Sequence, residues 1–110
     1  MNKISLLVMS ALAASVLTVA AADAKETWEK TCAKCHGADG KGDTKMGKKL
    51  DIKDLTDTKV QTSLKDEEML KAVKEGVKDG DKTRMKPAEG LSDDEMKALV
   101  AYVRTLKKST

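Results

Sequence analysis

The sequence predicts a small all-α domain. Three segments place apolar residues three or four positions apart, the spacing that puts side chains on one face of an α-helix. No segment alternates apolar and polar residues for long enough to indicate a strand. The 110-residue chain also contains one Trp, one Tyr and no Phe, and a domain this small gains little stability from apolar burial alone. We therefore expect a disulfide, a metal or a bound cofactor to hold the fold together.

The first 24 residues form a predicted secretory signal peptide. A positive start containing Lys3 precedes an apolar run over residues 4–19, and Ala22-Asp23-Ala24 fits a small-residue cleavage site, with cleavage after Ala24 or alternatively after Ala22. A membrane anchor is the competing interpretation, but serines and a threonine interrupt the run, which is shorter than the roughly 20 apolar residues that span a bilayer. Residues 25–110 are then the mature domain, which we expect in the periplasm without stable membrane insertion.

The charge of the chain argues against a nucleic-acid partner. The formal net charge is +3, and removal of residues 1–24 leaves it unchanged. Charges of both signs alternate along the sequence, as is typical of solvated helix faces. A nucleic-acid-binding domain concentrates more positive charge on one surface. We expect a monomer that binds no nucleic acid.

The first predicted helix covers about Lys25 to Cys35. Trp28, Cys32 and Cys35 recur at i, i+4 and i+7 and therefore lie on one face. Four glycines between Gly37 and Gly47 predict a loop there. The periodicity of residues 50–64 is ambiguous, and its apolar residues are expected to point inward from short turns: Leu50, Ile52, Leu55, Val60 and Leu64.

Two further helices are predicted in the C-terminal half. The first runs from about Lys65 to Glu75, and Gly76 is placed to cap it. Residues 79–90, which contain the single proline, Pro87, are predicted to form a loop. The last helix begins with the capping box Ser92-Asp93-Asp94-Glu95, and Leu91 with Met96 can form a hydrophobic staple around it. The apolar faces of the two helices are Met69, Leu70 and Val73, and Met96, Leu99, Val100, Val103 and Leu106.

Reactive side chains are concentrated in the stretch CAKCHG, residues 32–37, which holds both cysteines and the only histidine. A disulfide across so short a loop stabilises little. A thioredoxin-like dithiol needs a βαβ context, and a tetrahedral zinc site needs one more ligand than this stretch offers. Covalent haem uses every residue, because each thiol can add to a haem vinyl group and the following histidine can bind the iron. The motif predicts one haem c, held by Cys32 and Cys35, with His36 on the iron.

A second side-chain ligand would be a methionine or a lysine, unless the position is open. Lysine is protonated near neutral pH and has no free lone pair. Met69 and Met96 lie on apolar helix faces, where packing explains them. Met46 is in the glycine-rich loop, close to the histidine in sequence, whereas Met85 is in the later loop near Pro87. We favour Met85, with Met46 as the second candidate.

The chain resembles a class I cytochrome c of the small bacterial monohaem type over nearly all of residues 25–110. The resemblance rests on CAKCHG with the following GADGKGD loop, on RMKP at 84–87 and on LSDDEMKALVAYVRTL at 91–106. It implies a fold of three main helices and loops wrapped around one covalent haem. It also implies His36 as the proximal iron ligand, Met85 as the distal ligand, and packing of Trp28 against Tyr102.

One departure from the family pattern concerns the orientation of the histidine. Many members have a proline shortly after the motif whose carbonyl receives the histidine proton, but this chain has no proline between His36 and Pro87. The sequence therefore does not identify the carbonyl that orients His36.

The predicted ligand set indicates electron transfer. With His36 and Met85 on the iron, neither oxygen nor peroxide binds easily, and the thioether raises the potential. We expect a periplasmic one-electron carrier, not an enzyme, that shuttles electrons between redox protein partners whose identity the sequence does not give. The alternatives are a haem enzyme or sensor with a labile sixth ligand, such as a peroxidase, or a fixed electron-entry subunit of a larger complex. Four basic residues either steer an acidic partner or are ordinary surface charge: Lys34, Lys45, Arg84 and Lys86.

Overall fold

The structure is a computed structural model that describes residues 23–108. Apart from Asp23 and Ala24, the predicted signal peptide lies outside the described residues. Within residues 23–108, no helix combines the length and the apolar character needed to cross a membrane.

The N-terminal helix, α1, is helical from residue 23 to His36. Its middle is the π-helical segment Trp28–Cys32, in which the Ala33 N–H donates to the Trp28 carbonyl, and its last turn is Ala33–His36. The prediction of a helix over Lys25–Cys35 is confirmed, but the π-helical turn is new. Such turns are rare and occur frequently at functional sites, and here one includes the first cysteine of the motif.

Two short helices lie in the region predicted as loop or left ambiguous. Helix α2, Lys45–Lys49, begins inside the expected Gly37–Gly47 loop because Thr44 caps it, accepting a hydrogen bond from the Gly47 N–H. Helix α3, Thr58–Ser63, is capped by Asp57. The prediction of inward-pointing residues holds for Leu55, which is buried, and for Val60 and Leu64, which pack against the core, whereas Leu50 and Ile52 are half-buried.

The two long C-terminal helices match their predictions. Helix α4 is Asp66–Glu75 and ends at Gly76, whose φ of 78° is easily reached only by glycine. Helix α5 is Asp93–Thr105, and both hydrogen bonds of the Ser92–Glu95 capping box are present at 3.1 Å. Ion pairs join the end of each helix to the start of the other, so the helices run antiparallel; they are Lys74–Asp93 at 3.7 Å and Arg104–Asp66 at 2.8 Å.

A small antiparallel hairpin separates these helices, so the predictions of a strand-free chain and of a loop over residues 79–90 are wrong in this part. Strand β1 is Val77–Asp79 and strand β2 is Lys82–Met85. Gly80 and Asp81 form the two-residue turn, in which Gly80 has a φ of 64°. A glycine with positive φ at this position matches the twist of a tight hairpin. The strands are too short to show an alternating pattern, but the Gly-Asp turn is a recognisable signal.

The core lies where α1, α4 and α5 meet and is small. The buried apolar residues are Ala24, Trp28, Leu55, Met69, Met96, Leu99, Val100 and Val103. Among these, only Leu99 is buried completely as a large side chain. The predicted contact between Trp28 and Tyr102 is present, with ring centroids 5.8 Å apart. A core with one fully buried large side chain agrees with the expectation that this domain needs a further source of stability.

Candidate functional site

The structure brings Cys32, Cys35 and His36 together at the C-terminal end of α1. Both cysteines are free and half-buried, and they do not form a disulfide. Burial raises the pKa of the Cys32 thiol to about 11, and the neighbouring Cys35 adds to the rise. A thiol with so high a pKa is protonated at neutral pH, unlike the low-pKa cysteine of a disulfide oxidoreductase. The site therefore presents a protonated Cys32 thiol one turn away from the free Cys35, which differs from the activated dithiol of an oxidoreductase.

His36 is the buried polar group of this site. Its Nδ1 atom is inaccessible to solvent and has no hydrogen-bond partner among residues 23–108. Burial also lowers the pKa of the imidazole, so the ring is neutral and keeps a lone pair with which to bind a metal. Leaving a buried polar atom unpaired costs about 1–3 kcal/mol. A buried, neutral histidine without an internal hydrogen bond at Nδ1, next to two free thiols, is a set of side chains that fits haem c.

Trp28 connects the motif to the loop that follows it. Its ring lies 5.4 Å from the His36 ring, between centroids, at an interplanar angle of 36°. Its indole N–H donates to the carbonyls of Gly37 and Ala38, both at 3.2 Å. Trp28 thus packs against the histidine and also holds the backbone just beyond it, a role in addition to the expected contact with Tyr102.

Thr44 makes the corresponding connection from the loop side, and the sequence analysis did not identify it. Its hydroxyl donates to the Cys35 carbonyl at 2.6 Å and accepts from the Gly47 N–H at 2.8 Å. The neighbouring Gly42 N–H donates to the His36 carbonyl at 2.7 Å. A threonine ahead of a short helix is an N-cap signal, but its bond to the motif is a tertiary contact that no local pattern predicts.

Gly47 allows α2 to lie directly against the motif. A Cβ atom at this position would stand 2.7 Å from the Cys35 carbonyl oxygen and still closer to the Gly42 carbonyl oxygen. Both neighbours are backbone atoms and cannot rotate away. Because the φ of Gly47 is not positive, the restriction is one of space and not of backbone conformation.

We expect Gly47→Ala to destabilise the protein by about 2–3 kcal/mol, because the added methyl group forces apart two backbone segments that are already in contact. The measurement is the free energy of unfolding by denaturant. Gly80→Ala is the control, since Gly80 has a φ of 64° but no atom within 4 Å of its Cβ position, and it should cost about 1 kcal/mol through backbone strain alone. Equal losses in the two variants would contradict the steric account of Gly47.

Met85 is the last residue of β2 and is half-buried, so it lies at a strand end and not in the free loop that was expected. Its carbonyl oxygen would be 2.6 Å from a Cβ on Gly76, so the chain crosses closely over the end of α4. Just beyond, the Ala88 N–H donates to the Val73 carbonyl at 2.8 Å. These contacts fix the backbone on both sides of Pro87.

A second anchor joins the Met85 segment to the other half of the molecule. Arg84 donates to the Leu50 carbonyl at 2.8 Å and pairs with Asp79 at 3.6 Å. Leu50 follows α2, which packs against the motif. Met46, the other candidate ligand, is on α2 and is 40% exposed. The half-buried, doubly anchored Met85 is therefore better suited than Met46 to contact a buried group.

The basic residues singled out in the sequence divide into two groups. Arg84 is half-buried, and its guanidinium already contacts the Leu50 carbonyl and the Asp79 carboxylate. Lys34, Lys45 and Lys86 are exposed, and none of the three forms an ion pair within the described part of the chain. These three lysines are the ones that remain available to a partner.

Comparison with known proteins agrees with this geometry. The family model for cytochrome c matches residues 21–107. Among solved structures, KustC0563 c-type cytochrome is 32% identical, superposes with a TM-score of 0.68, and is matched over 77% of this chain and 98% of its own chain. No curated protein matches the sequence. The fold, the motif and these matches together show that the chain belongs to the cytochrome c family, as a class I c-type cytochrome.

Proposed function

We propose that this cytochrome is a periplasmic one-electron carrier with a single haem c, bound through Cys32 and Cys35 and ligated by His36 and Met85. Membership of the family supports a haem c electron carrier. The observation that carries the proposed ligation is the buried, neutral His36 with an unpaired Nδ1, adjacent to two free thiols.

Each proposed residue has a defined role. When bound, haem c supplies an iron that exchanges one electron between its ferrous and ferric states. Cys32 and Cys35 would hold the haem through two thioether bonds, and adding each S–H across a vinyl double bond would consume no oxidant. His36 offers a neutral nitrogen from the end of α1. Met85 offers a thioether sulfur, which favours the ferrous state and raises the potential.

The anchoring of both ligand segments supports a carrier over an enzyme. Trp28 and Thr44 donate hydrogen bonds to the backbone on either side of His36. The Met85 segment packs closely against Gly76 and is also held by the hydrogen bond from Arg84 to the Leu50 carbonyl. A ligand on an anchored strand end is hard to displace by oxygen or peroxide. Little atomic rearrangement then accompanies the change in charge, and that favours rapid electron transfer.

The proposed location and partners follow from the remaining features of the sequence. The signal peptide predicted over residues 1–24 supports export to the periplasm. The mixed surface charge supports redox-protein partners, a donor and an acceptor, over nucleic acid, and we propose that the protein is a monomer. Covalent attachment suits a periplasmic carrier, because a haem that was bound only non-covalently could dissociate there and be diluted.

The carrier function is tested by a spectroelectrochemical titration together with a peroxidase assay. We expect a single one-electron Nernst curve and little peroxide turnover at neutral pH, because both axial positions are filled. An intrinsic peroxide turnover in the wild type would favour the haem enzyme with a labile sixth ligand. Activity that requires stable assembly with a second subunit would favour the fixed electron-entry subunit.

The exposed lysines beside the motif and the Met85 segment are proposed to steer a negatively charged partner. We expect the bimolecular rate of electron transfer with an acidic redox protein to fall as salt rises, because exposed charges are screened within a Debye length of about 10 Å at 0.1 M. Reversing Lys34 and Lys86 to Glu should lower the rate at low salt by roughly tenfold or more and weaken its salt dependence. Stopped-flow mixing at several ionic strengths measures both.

A matched charge reversal is the control for this steering effect. Lys59→Glu with Lys107→Glu changes the net charge equally at two exposed positions, on α3 and after α5. If those reversals slow the reaction as much as Lys34 and Lys86 do, net charge is responsible and no local docking surface is needed. A wild-type rate that does not depend on salt would leave the lysines as ordinary surface charge.

A further inference from the structure

We propose that Thr44 is the positioning residue of His36: its hydroxyl holds the backbone that carries the imidazole and so limits the orientations that the ring can take. This inference rests on the proposed function, in which His36 is an axial ligand. No proline stiffens residues 37–86, so a hydrogen bond has to supply the rigidity of the loop beside the motif.

Two peptide planes meet at the His36 Cα atom, and their directions set the backbone torsions of this residue. The Cys35 carbonyl and the His36 nitrogen belong to one planar peptide unit, and the His36 carbonyl begins the next. Thr44 donates to the Cys35 carbonyl at 2.6 Å, and the Gly42 N–H donates to the His36 carbonyl at 2.7 Å. Both planes are therefore held by the same loop, which restricts both backbone torsions of His36.

These bonds replace contacts that a helix end otherwise makes with water. The last four carbonyls of an α-helix have no partner within the helix, and Cys35 and His36 are its last two residues here. Gly37 follows with a φ of 84°, which turns the chain so that the loop folds back onto the helix. Hydrogen bonds therefore join the end of α1 to the loop, and Thr44 contributes to them from the loop through its side chain.

Thr44 also has a simpler role, from which the proposal must be separated. Its hydroxyl accepts from the Gly47 N–H at 2.8 Å and thereby caps α2. Capping explains the bond from Gly47. It does not explain the bond that Thr44 donates to the Cys35 carbonyl, because Cys35 belongs to α1 and not to α2. If capping were the whole role, loss of the hydroxyl would reduce stability without altering the haem iron.

The test compares three variants of the holoprotein. Thr44→Val keeps the shape but removes the hydroxyl, and Thr44→Ser keeps the hydroxyl. Thr56→Val is the matched control, because Thr56 is buried and its hydroxyl also donates over 2.6 Å, but to Asp54. The reduction potential, the paramagnetic proton NMR shifts of the haem methyl groups and the thermal unfolding midpoint are measured for each. The methyl shifts report the orientation of the axial ligands.

We expect Thr44→Val to change the redox equilibrium about threefold in favour of the ferric state, because a loosened loop admits water beside the haem and water stabilises the more charged form. That change corresponds to about 28 mV, since a tenfold change is 59 mV for one electron. The spread of the haem methyl shifts should change as well. Thr44→Ser should restore both, and Thr56→Val should lower the unfolding midpoint while leaving both unchanged.

Two results would overturn the inference. The first is a Thr44→Val variant that loses stability but keeps the wild-type potential and methyl shifts, which would reduce Thr44 to a helix cap. The second covers the case in which Thr44→Val fails to fold: a folded Thr44→Ser variant whose shifts differ from those of the wild type. If the wild-type iron has no histidine ligand, the proposed function is refuted instead. The NMR spectrum of the wild type tests this ligation before any variant is made.

Discussion

Replacing Met85 by alanine is expected to abolish the far-red absorption band of a sulfur–iron bond and to lower the reduction potential by on the order of 0.2 V, within the roughly 0.8 V range that axial ligands control. The potential falls because the thioether that favours ferrous iron is gone. The vacated position also leaves room for water or peroxide, so peroxide turnover should appear. Absorption spectra, a redox titration and a peroxidase assay near neutral pH measure the three effects.

Met46→Ala is the control for this experiment. Met46 is 40% exposed on α2, so its loss should leave the band, the potential and the low peroxidase activity unchanged. The pH must stay near neutral, because a neighbouring lysine that loses its proton at high pH can take the vacant position. If Met85→Ala retains the band while Met46→Ala loses it, the distal ligand is Met46 and the assignment of Met85 is wrong.

Replacing both Cys32 and Cys35 by alanine is expected to remove all covalently bound haem and to leave a mostly unfolded chain. The haem then dissociates, and the core it leaves behind contains Leu99 as its only completely buried large side chain within residues 23–108. A domain of this size does not gain enough from such a core to balance the entropy of folding. Haem staining after denaturing electrophoresis and circular dichroism measure the two losses.

The single variants Cys32→Ala and Cys35→Ala are the controls for attachment. Each should keep one thioether, and acidified acetone should not extract the haem from either. Complete extraction of haem from the wild type by acidified acetone would refute covalent attachment. A haem-free double variant with full helical content would refute the claim that haem supplies the missing stability.

Helices with strong end signals could be predicted closely from the sequence. Gly76 signals the end of α4, and the Ser92–Glu95 capping box signals the start of α5. The structure confirms both signals. The hairpin was missed because strands of three and four residues are too short to show a period of two. Helix α2 was missed because four glycines suggested a loop, whereas Thr44 and contacts with α1 stabilise the helix there.

The candidate site shows the same division between local and tertiary information. Cys32, Cys35 and His36 are adjacent in sequence, so their chemistry can be recognised without a structure. Thr44 could not be recognised in this way, because its partner is a backbone carbonyl nine positions away, and a carbonyl carries no sequence signal. Met85 was favoured by elimination among the methionines and by its likeness to a family pattern, but the sequence did not show that this residue ends a strand.

Histidine–methionine ligation of a single haem c is best tested by the absorption spectrum of the purified wild-type protein, recorded in both oxidation states from the visible to the far red. We expect a single haem c with six-coordinate, low-spin iron in each state and a far-red sulfur–iron band in the oxidised protein. That spectrum requires a methionine sulfur together with a second strong axial ligand on the iron, the roles we assign to Met85 and His36. A five-coordinate, high-spin spectrum, with peroxide turnover by the wild type, would contradict the electron-carrier account and favour an enzyme.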